Sequence, residues 1–399
     1  MLTSGRRLEG LFLGITGLTR QTPRSKVDTL PNGLVQVENS PVGRWNEETR
    51  WVLEEDLRLG RREGGGPDQF GSVAALRIAP NGDILVLDGL DLELRVFDSG
   101  GDFSKTIGGR GEGPGEFKGP LGLGISPEGR LWVDDPGNAR YSVFDPSGAF
   151  ETSYRREIMA VMVPSLSRFA AGHGYVDWGI DRSPGDSRST NRERWSARLP
   201  IVFTPPDRYD TLPALRYRTI LASDGRRAPG SGSQLVHLSR DGTLYFASPD
   251  EYRIWRRSLE GDTTLVFSLD VEVELRTGAE LDSILAGYRE GRRAMLERRD
   301  VYPTKPLIRK IFTDGAGHVF VIPSVPGIQD GAFIDVFEDS GRYVGRLSAP
   351  EPISFPVVSP IATDTHLYAL VPDDLGVSYV VRWRIRKPER QMVPSGGGS

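Results

Sequence analysis

The sequence contains no cysteine. This absence excludes disulfide bonds, thiolate nucleophiles and zinc sites with cysteine ligands. It leaves the cellular compartment open, because a domain of this size can be stable without disulfides. Histidine is also scarce, with four among 399 residues. Few side chains are therefore available to bind a metal ion through nitrogen or sulfur.

The chain also lacks a dominant charge and a long apolar run. It has 50 basic and 54 acidic residues, for a net charge of −4. A broad positive field is absent, so we expect no nucleic-acid partner. No run of 18 apolar residues occurs, which predicts that no helix spans a membrane. Hydrophobic residues make up 38% of the chain, which is typical of an ordinary globular protein.

A repeat with a period of 47 residues is present in the first half of the chain. Residues 70–107 align without a gap with residues 117–154, so Phe70 matches Phe117 and Asp88 matches Asp135. The residue pattern of each unit predicts four short strands, with Asn-Gly or Glu-Gly in the turn between the first and second strands. One such sheet cannot bury both of its faces, whereas a ring of sheets can. This period and strand pattern are typical of a β-propeller blade.

Four further units follow with more drift, which gives six in total. They lie within residues 163–215, 235–269, 307–347 and 357–386. The last unit has three strands and no fourth. Residues 50–59, "RWVLEEDLRL", alternate apolar and polar side chains and precede the first unit. We expect this segment to supply the missing strand and close the ring.

The domain organisation follows from these units. Residues 1–49 form a leader and an extended lead-in, 50–388 the propeller, and 389–399 a flexible tail. Arg6 and Arg7 precede the apolar stretch "LEGLFLGITGLT", which resembles the start of a secretory signal without an A-x-A cleavage site. A cleaved export signal and a disordered leader therefore both remain open.

Two stretches interrupt the repeat. Residues 181–196 are polar and arginine-rich, which predicts a loop within the third unit. Residues 277–300 show helical spacing of apolar side chains, and Thr277 with Glu280 would form a capping box. We expect one inserted helix there, between the fourth and fifth units.

The stretch "GEGPGEFKGPLGLGISPEGRLWVDDPGNARYSVFDPSGAF" closely resembles an NHL repeat, the blade of NHL-type propellers. The resemblance covers residues 60–154 best, 235–388 less well and 155–230 weakly. The lead-in "VDTLPNGLVQVENSPVGRW" resembles the opening of exported bacterial six-bladed propellers that are mostly uncharacterised. The resemblance implies an all-β, NHL-like six-bladed β-propeller with four-stranded antiparallel blades. It also implies a periplasmic or secreted protein, with a cytoplasmic one as the alternative.

Two glycine-rich loops, "GRREGGGPDQF" at 60–70 and "GGRGEGPGEF" at 108–117, precede the first two units. Neither has the G-x-G-x-x-G spacing, and no helix follows to bind a phosphate, so the pattern disfavours nucleotide binding. We expect the glycines to let the chain turn between blades. Phe70 and Phe117 should then pack between neighbouring blades.

The candidate site residues all belong to loops or strands near one face, where loops after second strands meet loops between blades. They are Arg61, Asp88, Arg110, Asp135, Arg192 and His237. The two aspartates could bind a cation or an amine, although an Asx cap of the turn is the commoner role. His237 lies on a predicted innermost strand and could approach the central channel.

The other three histidines, His173, His318 and His366, occupy the same turn on separate units, which predicts no shared metal site. Asn138 and Arg140 match the "GN-x-R" element of the family. The resemblance implies a structural role for that arginine, pairing across the blade. The first unit has Glu93 at the matching position, so a shared functional role does not follow.

These observations favour a non-catalytic binding scaffold. One propeller face would bind a protein, peptide or glycan ligand, and the protein would act as a monomer without a metal cofactor. The alternative is a propeller lyase or lactonase-type hydrolase with an axial divalent cation, for which Ca²⁺ suits the abundant carboxylates. No G-x-S-x-G elbow or nucleophile with its base is recognisable in the sequence.

Overall fold

The computed structural model describes residues 25–156, 168–170, 174–181, 193–232, 234–325, 331–355 and 358–388. The predicted leader up to residue 24, the whole predicted tail, His173 and Arg192 lie outside these ranges. Three strands precede the repeat: β1 Ser25–Thr29, β2 Val35–Asn39 and β3 Val52–Leu59.

The remaining strands form six sheets around a ring, and we number the blades in chain order. Blade 1 contains β4 Val73–Ile78, β5 Ile84–Asp88, β6 Glu93–Phe97 and β7 Phe103–Ile107. Blade 2 contains β8 Gly122–Ile125, β9 Leu131–Asp135, β10 Arg140–Phe144 and β11 Phe150–Arg155. Blade 3 contains β12 Arg168–Ala170, β13 Gly174–Asp181, β14 Glu193–Thr204, β15 Arg208–Thr211 and β16 Leu215–Ile220.

Blade 4 contains β17 Leu235–Leu238, β18 Leu244–Ala247, β19 Arg253–Arg257 and β20 Thr263–Leu269. Blade 5 contains β21 Ile308–Thr313, β22 Val319–Pro323, β23 Phe333–Phe337 and β24 Tyr343–Ser348. Blade 6 contains β25 Ile361–Ala362, β26 His366–Pro372 and β27 Ser378–Arg386. The predicted six-bladed propeller with antiparallel blades is therefore confirmed.

The core lies between adjacent blades rather than within one of them. Leu76 and Val86 of blade 1 pack against Tyr368 and Val380 of blade 6, and all four are buried. Second strands are buried along their whole length in blades 1, 2 and 5. Both faces of these strands pack against a neighbouring sheet, which is why they read as apolar runs rather than as alternation.

The N-terminal strand closes the ring, as the sequence predicts. Strand β3 pairs antiparallel with β27 and becomes the fourth strand of blade 6, with Leu53 opposite Ile385. Leu53 and Leu59 are buried, whereas Glu54 and Glu55 between them are exposed. The alternation along this segment thus places its apolar side chains on the face that the blades cover.

The lead-in is more ordered than the expected extended segment. Strands β1 and β2 form a hairpin, and β2 pairs in parallel with β20, so that blade 4 has six strands. The chain then crosses blade 5, where the main-chain amides of Arg44 and Trp45 donate to the Val344 carbonyl at 2.7 and 3.1 Å. Residues 25–59 therefore form an outer strap over blades 4, 5 and 6.

The insertion between blades 4 and 5 differs from the single helix expected over 277–300. It consists of α1 Gly278–Ala286, α2 Glu290–Arg293 and a 3₁₀ helix at Arg298–Asp300. The predicted capping box is present, with Thr277 and Glu280 each bonding to the other's main chain. Helix α1 ends at Ala286 and is followed by Gly287, and glycine is among the least favourable residues for helix continuation.

The predicted loop over 181–196 is too long. Strand β13 includes Asp181, and β14 starts at Glu193, so both ends of that range belong to blade 3. Strand β14 is long enough to pair with β16 near its start and with β15 near its end. Residues 182–192 lie outside the described part of the chain.

Candidate ligand-binding face

One face of the ring carries the loops that follow the second strands and the loops that join blades. We call it the ligand face. In blades 1 and 2 it includes residues 60–72, 88–93, 108–121 and 135–140. In blade 6 it includes residues 373–377. The turns on the opposite face are short and join first to second and third to fourth strands.

Asp88 and Asp135 hold the loops of the ligand face from beneath. Both are fully buried. Asp88 accepts hydrogen bonds from the main-chain amides of Gly71 at 2.7 Å and Leu90 at 2.9 Å. Asp135 accepts from the amide of Gly119 at 2.9 Å. Each carboxylate therefore ties an inter-blade loop to its second strand.

Asp88 and Asp135 lie one period apart, and so do several of the amides that they bind. The amides of Gly71 and Ser72 donate to Asp88. The amides of Lys118 and Gly119, each 47 residues later, donate to Asp135. The arrangement is that of a turn cap. A ligand-binding role for either aspartate stays a prediction, because the bonds described here are all to the protein's own loops.

A guanidinium from the third strand supports each glycine-rich loop. In blade 2, Arg140 donates to the main-chain carbonyls of Gly113 at 2.5 Å and Glu116 at 2.8 Å. In blade 1, Arg95 donates to the carbonyl of Gln69 at 2.5 Å. Gln69 and Glu116 are equivalent in the repeat, so both arginines hold the residue before the buried phenylalanine.

Arg95 was not identified from the sequence, because the residue aligned with Arg140 is Glu93. A signal was nevertheless present. Arg95 lies two residues after Glu93 on β6, and residues at that spacing lie on the same face of a strand. The third strand can therefore supply this arginine from either of two successive positions on the same face.

The glycine-rich loops end on core phenylalanines, as expected. Phe117 is completely buried and Phe70 nearly so. Phe117 lies edge-on to Phe144 with ring centroids 5.9 Å apart, and Phe70 lies edge-on to Phe97 at 6.0 Å. Gly108 has φ +78°, and an added Cβ would lie 2.2 Å from the Phe117 ring. That glycine is therefore required by the packing of Phe117.

Above this supporting layer, the loops expose leucines and arginines. Leu90 is 59% exposed and Leu375 is 73% exposed. Arg110 is exposed and donates to the Leu90 carbonyl at 3.0 Å, while Arg61 forms an ion pair with Asp68. Asp88, Arg110 and Leu90 thus meet at one loop.

Arg62 connects blade 6 to the loops of blade 1. Its Nε atom donates to Asp373 at 2.5 Å, and it also pairs with Asp374. Burial acts to raise the pKa of Asp373, but the hydrogen bond from Arg62 and those from nearby amides outweigh it and lower that pKa. The Gln69 side chain donates to the Arg62 carbonyl at 3.3 Å. Because Arg95 donates to the Gln69 carbonyl, the Arg62 ion pair and the Arg95 contact are connected through Gln69. The two exposed leucines therefore project from one hydrogen-bonded set of loops.

The histidines lie apart from one another. His237 is buried on the innermost strand of blade 4, with Nε2 3.0 Å from Thr313 Oγ1 of blade 5. His318 contacts Asp314 at 2.8 Å and His366 contacts Asp56 at 3.2 Å, both at the opposite face. His237 is therefore not brought together with the arginines and aspartates of the ligand face.

Within the described ranges, no three histidine, aspartate or glutamate side chains form a group that could hold a metal ion. None of the helices in this part of the chain combines the length and the apolar character needed to cross a bilayer.

Comparison with known proteins supports the fold. A family model described as "6-bladed beta-propeller" matches residues 69–153, which span blades 1 and 2. No curated protein sequence matches the chain.

Solved structures match over most of the ring. A protein from Bacteroides fragilis thought to be exported is 13% identical, with a TM-score of 0.50, and the match covers 88% of this chain and all of that one. A member of the duf4221 family from Bacteroides vulgatus is 10% identical, with a TM-score of 0.51 and coverage of 85% and 99%.

Virginiamycin B lyase from Staphylococcus aureus also matches, at 12% identity over 92% and 97% of the two chains. Its TM-score of 0.39 is too low to bear on activity. The chain is therefore a six-bladed β-propeller whose fold resembles that of the two Bacteroides proteins.

Proposed function

We propose that this protein is a binding scaffold whose ligand face takes up a protein or peptide. The observation that carries the proposal is the pair of exposed leucines, Leu90 and Leu375, on loops held from beneath by buried polar groups. An exposed large apolar side chain on an ordered loop can enter a partner's pocket with little further loss of entropy. Arg61 and Arg110 beside them suit a polar rim.

Further exposed apolar side chains occur on the same face. Val273, Leu275 and Met295 belong to the segment between blades 4 and 5 and are each about half exposed or more. Aliphatic groups of this kind favour contact with apolar side chains, so a protein or peptide fits better than a glycan. The likeness to a protein thought to be exported supports a periplasmic or secreted location.

The test is binding of the labelled full chain to arrays of peptides and glycans. The double variant Leu90→Asp with Leu375→Asp should lose about tenfold or more in affinity for the ligands that the wild type binds. Val52→Asp is the matched control, because Val52 is exposed at the opposite face and its substitution should leave binding unchanged. Equal binding by all three proteins would contradict the proposal.

The same material tests the enzymatic alternative. Turnover of lactones or esters that depends on an added divalent cation would replace the scaffold with a propeller hydrolase. A ligand that the wild type binds without altering it chemically, and that the leucine double variant no longer binds, would support the scaffold.

A further inference from the structure

A cleft opens on the ligand face between blades 4 and 5. Its volume is about 670 Å³. The ends of β2 and β20, the loop between β18 and β19, and the start of the segment leading to blade 5 line it. A smaller cavity of about 380 Å³ continues it along residues 269–272.

The cleft exists because the chain does not pass directly from blade 4 to blade 5. The Asp270 amide donates to the Asn39 carbonyl at 2.9 Å, which holds the outgoing chain against the strap. The chain returns only after the helical insertion, where the Leu307 amide donates to Pro249 at 2.6 Å. The gap between these two fixed points is the cleft.

The walls of the cleft are well ordered by buried hydrogen bonds. The Asn39 side chain donates to the carbonyls of Ser268 and Gly341, both at 2.9 Å, and accepts from the Tyr343 amide at 3.0 Å. The Tyr252 hydroxyl donates to the buried Asp335 carboxylate at 2.7 Å. A ligand would therefore meet a preformed surface, which lowers the entropic cost of binding.

Carboxylates exceed cations along the cleft. Four acidic side chains line it, namely Glu38, Asp250, Glu251 and Asp270, against the two cations Lys26 and Arg253. Lys26 and Glu38 pair with each other at 3.8 Å. Glu272 adds a fifth carboxylate in the adjoining cavity, whose lining cation, Arg346, is paired with the buried Asp335.

Asp250 is the least exposed of these carboxylates. Burial raises the pKa of Asp250, and the neighbouring Glu251 raises it further, against the lowering effects of Tyr302, Arg218 and Ser248. Glu251 and Asp270 are exposed. A cation placed between these side chains would be attracted by each of them.

The cleft also has an apolar component. Leu269 and Leu307 form part of its buried wall. Val273 lines its edge and is 49% exposed. A small inorganic cation would make no use of these side chains, whereas a peptide with basic and aliphatic residues would contact both kinds of group.

We infer that this cleft binds a basic peptide segment, in which arginine or lysine side chains reach the carboxylates and aliphatic side chains contact Val273 and Leu269. Leu90 and Leu375 do not line the cleft, although Val273 belongs to the same face. Binding of a basic peptide here therefore does not depend on the function proposed for those two leucines.

The probe is a fluorescein-labelled peptide of alternating arginine and leucine, with a peptide of alternating glutamate and leucine for comparison. Fluorescence anisotropy with the full chain should show binding of the basic peptide only. The affinity should fall as NaCl rises from about 50 mM to about 300 mM, because the pairs are partly exposed and screened.

The double variant Glu251→Gln with Asp270→Asn should weaken binding about 3- to 10-fold. The matched control is Asp207→Asn with Asp364→Asn, which removes two exposed carboxylates from turns on the opposite face and should change nothing. Thermal melting checks that both variants fold. The leucine variant of blades 1 and 6 should bind the basic peptide normally, so the two proposals fail separately.

The inference is overturned if both double variants bind the basic peptide equally well, or if the acidic peptide binds as tightly. It is also overturned if spermine displaces the peptide as effectively, charge for charge, as unlabelled peptide does, because simple charge attraction would then account for the binding.

Discussion

The Arg140 guanidinium donates a 2.8 Å hydrogen bond to the main-chain carbonyl of Glu116, directly before the buried Phe117. In blade 1 the same contact joins Arg95 to Gln69, although the two arginines do not align. The same loop carbonyl is thus bonded in both blades, but the arginine that bonds it lies two residues later in the repeat of blade 1 than in that of blade 2.

Replacing Arg140 should therefore destabilise the fold. Arg140→Met removes bonds to three loop carbonyls, those of Glu112, Gly113 and Glu116. We expect a loss of about 1–3 kcal/mol in the free energy of unfolding. The control is Arg130→Met, since Arg130 pairs with Glu151 on the surface and should lose less than about 1 kcal/mol. Urea unfolding of the two variants compares them, and equal losses would contradict a supporting role for Arg140.

Phe117→Ala should be more damaging. Phe117 is completely buried and contacts Phe144, so its truncation loses buried area and leaves a cavity. We expect a loss of about 3–5 kcal/mol. Phe150→Ala is a matched control in the same blade, because that ring is 36% exposed, and it should lose less. A loss below about 1 kcal/mol for Phe117→Ala would reopen a functional role for the glycine-rich loop.

Removal of the N-terminal strand should open the ring. Deletion of residues 1–60 removes β1, β2 and β3 and leaves β20 and β27 as uncovered sheet edges, so we expect aggregation and a lower melting temperature. Deletion of residues 1–49 keeps β3 and removes the rest of the strap, and should affect blades 4 and 5 instead. Light scattering and thermal melting compare the two. A monomeric 1–60 deletion with unchanged melting temperature would rule out the closing role.

The burial of His366 should make stability depend on pH. Burial lowers the pKa of His366, and the attraction of Asp56 opposes that effect only in part. The unfolded chain then takes up a proton more readily than the folded one. Stability from the neutral side chain is present above about pH 6.5 and is lost as the pH falls through the folded pKa.

His366→Gln removes this dependence. Between about pH 7.5 and about pH 5.5, the melting temperature of the wild type should fall more than that of the variant. Burial acts to raise the pKa of Asp56, but Arg382 and His366 lower it by more, so the Asp56 carboxylate stays ionised across this range. If the melting temperatures of the two proteins change by the same amount across this range, the burial of His366 has no such effect.

The protein should not need a metal ion. Treatment with EDTA should leave the melting temperature unchanged, and elemental analysis of protein purified without chelator should find no stoichiometric divalent ion. Calcium is the ion to look for, since carboxylate ligands suit it. One tightly bound ion per chain, with a fall in melting temperature on chelation, would favour the enzymatic alternative.

The sequence by itself determined the strand pattern of a blade and the number of blades in the ring. The 47-residue spacing of Phe70 and Phe117 is reproduced in three dimensions, down to ring distances that differ by 0.1 Å. Closure by residues 52–59 also followed from the sequence, because a unit with three strands leaves an edge that an alternating segment can cover. These features depend on local periodicity, which a sequence shows directly.

Only the tertiary structure decided which side chains meet. Arg95 takes the role of Arg140 because alternate residues share a strand face, so a gap-free alignment misses it. The strap over blades 4 to 6 and the acidic cleft beside it depend on hydrogen bonds between distant residues. Asn39 bonds to Ser268 and Tyr343, which are both more than 200 residues away in the chain. Contacts of this kind leave no local pattern in the sequence, because they depend on how separate blades are placed around the ring.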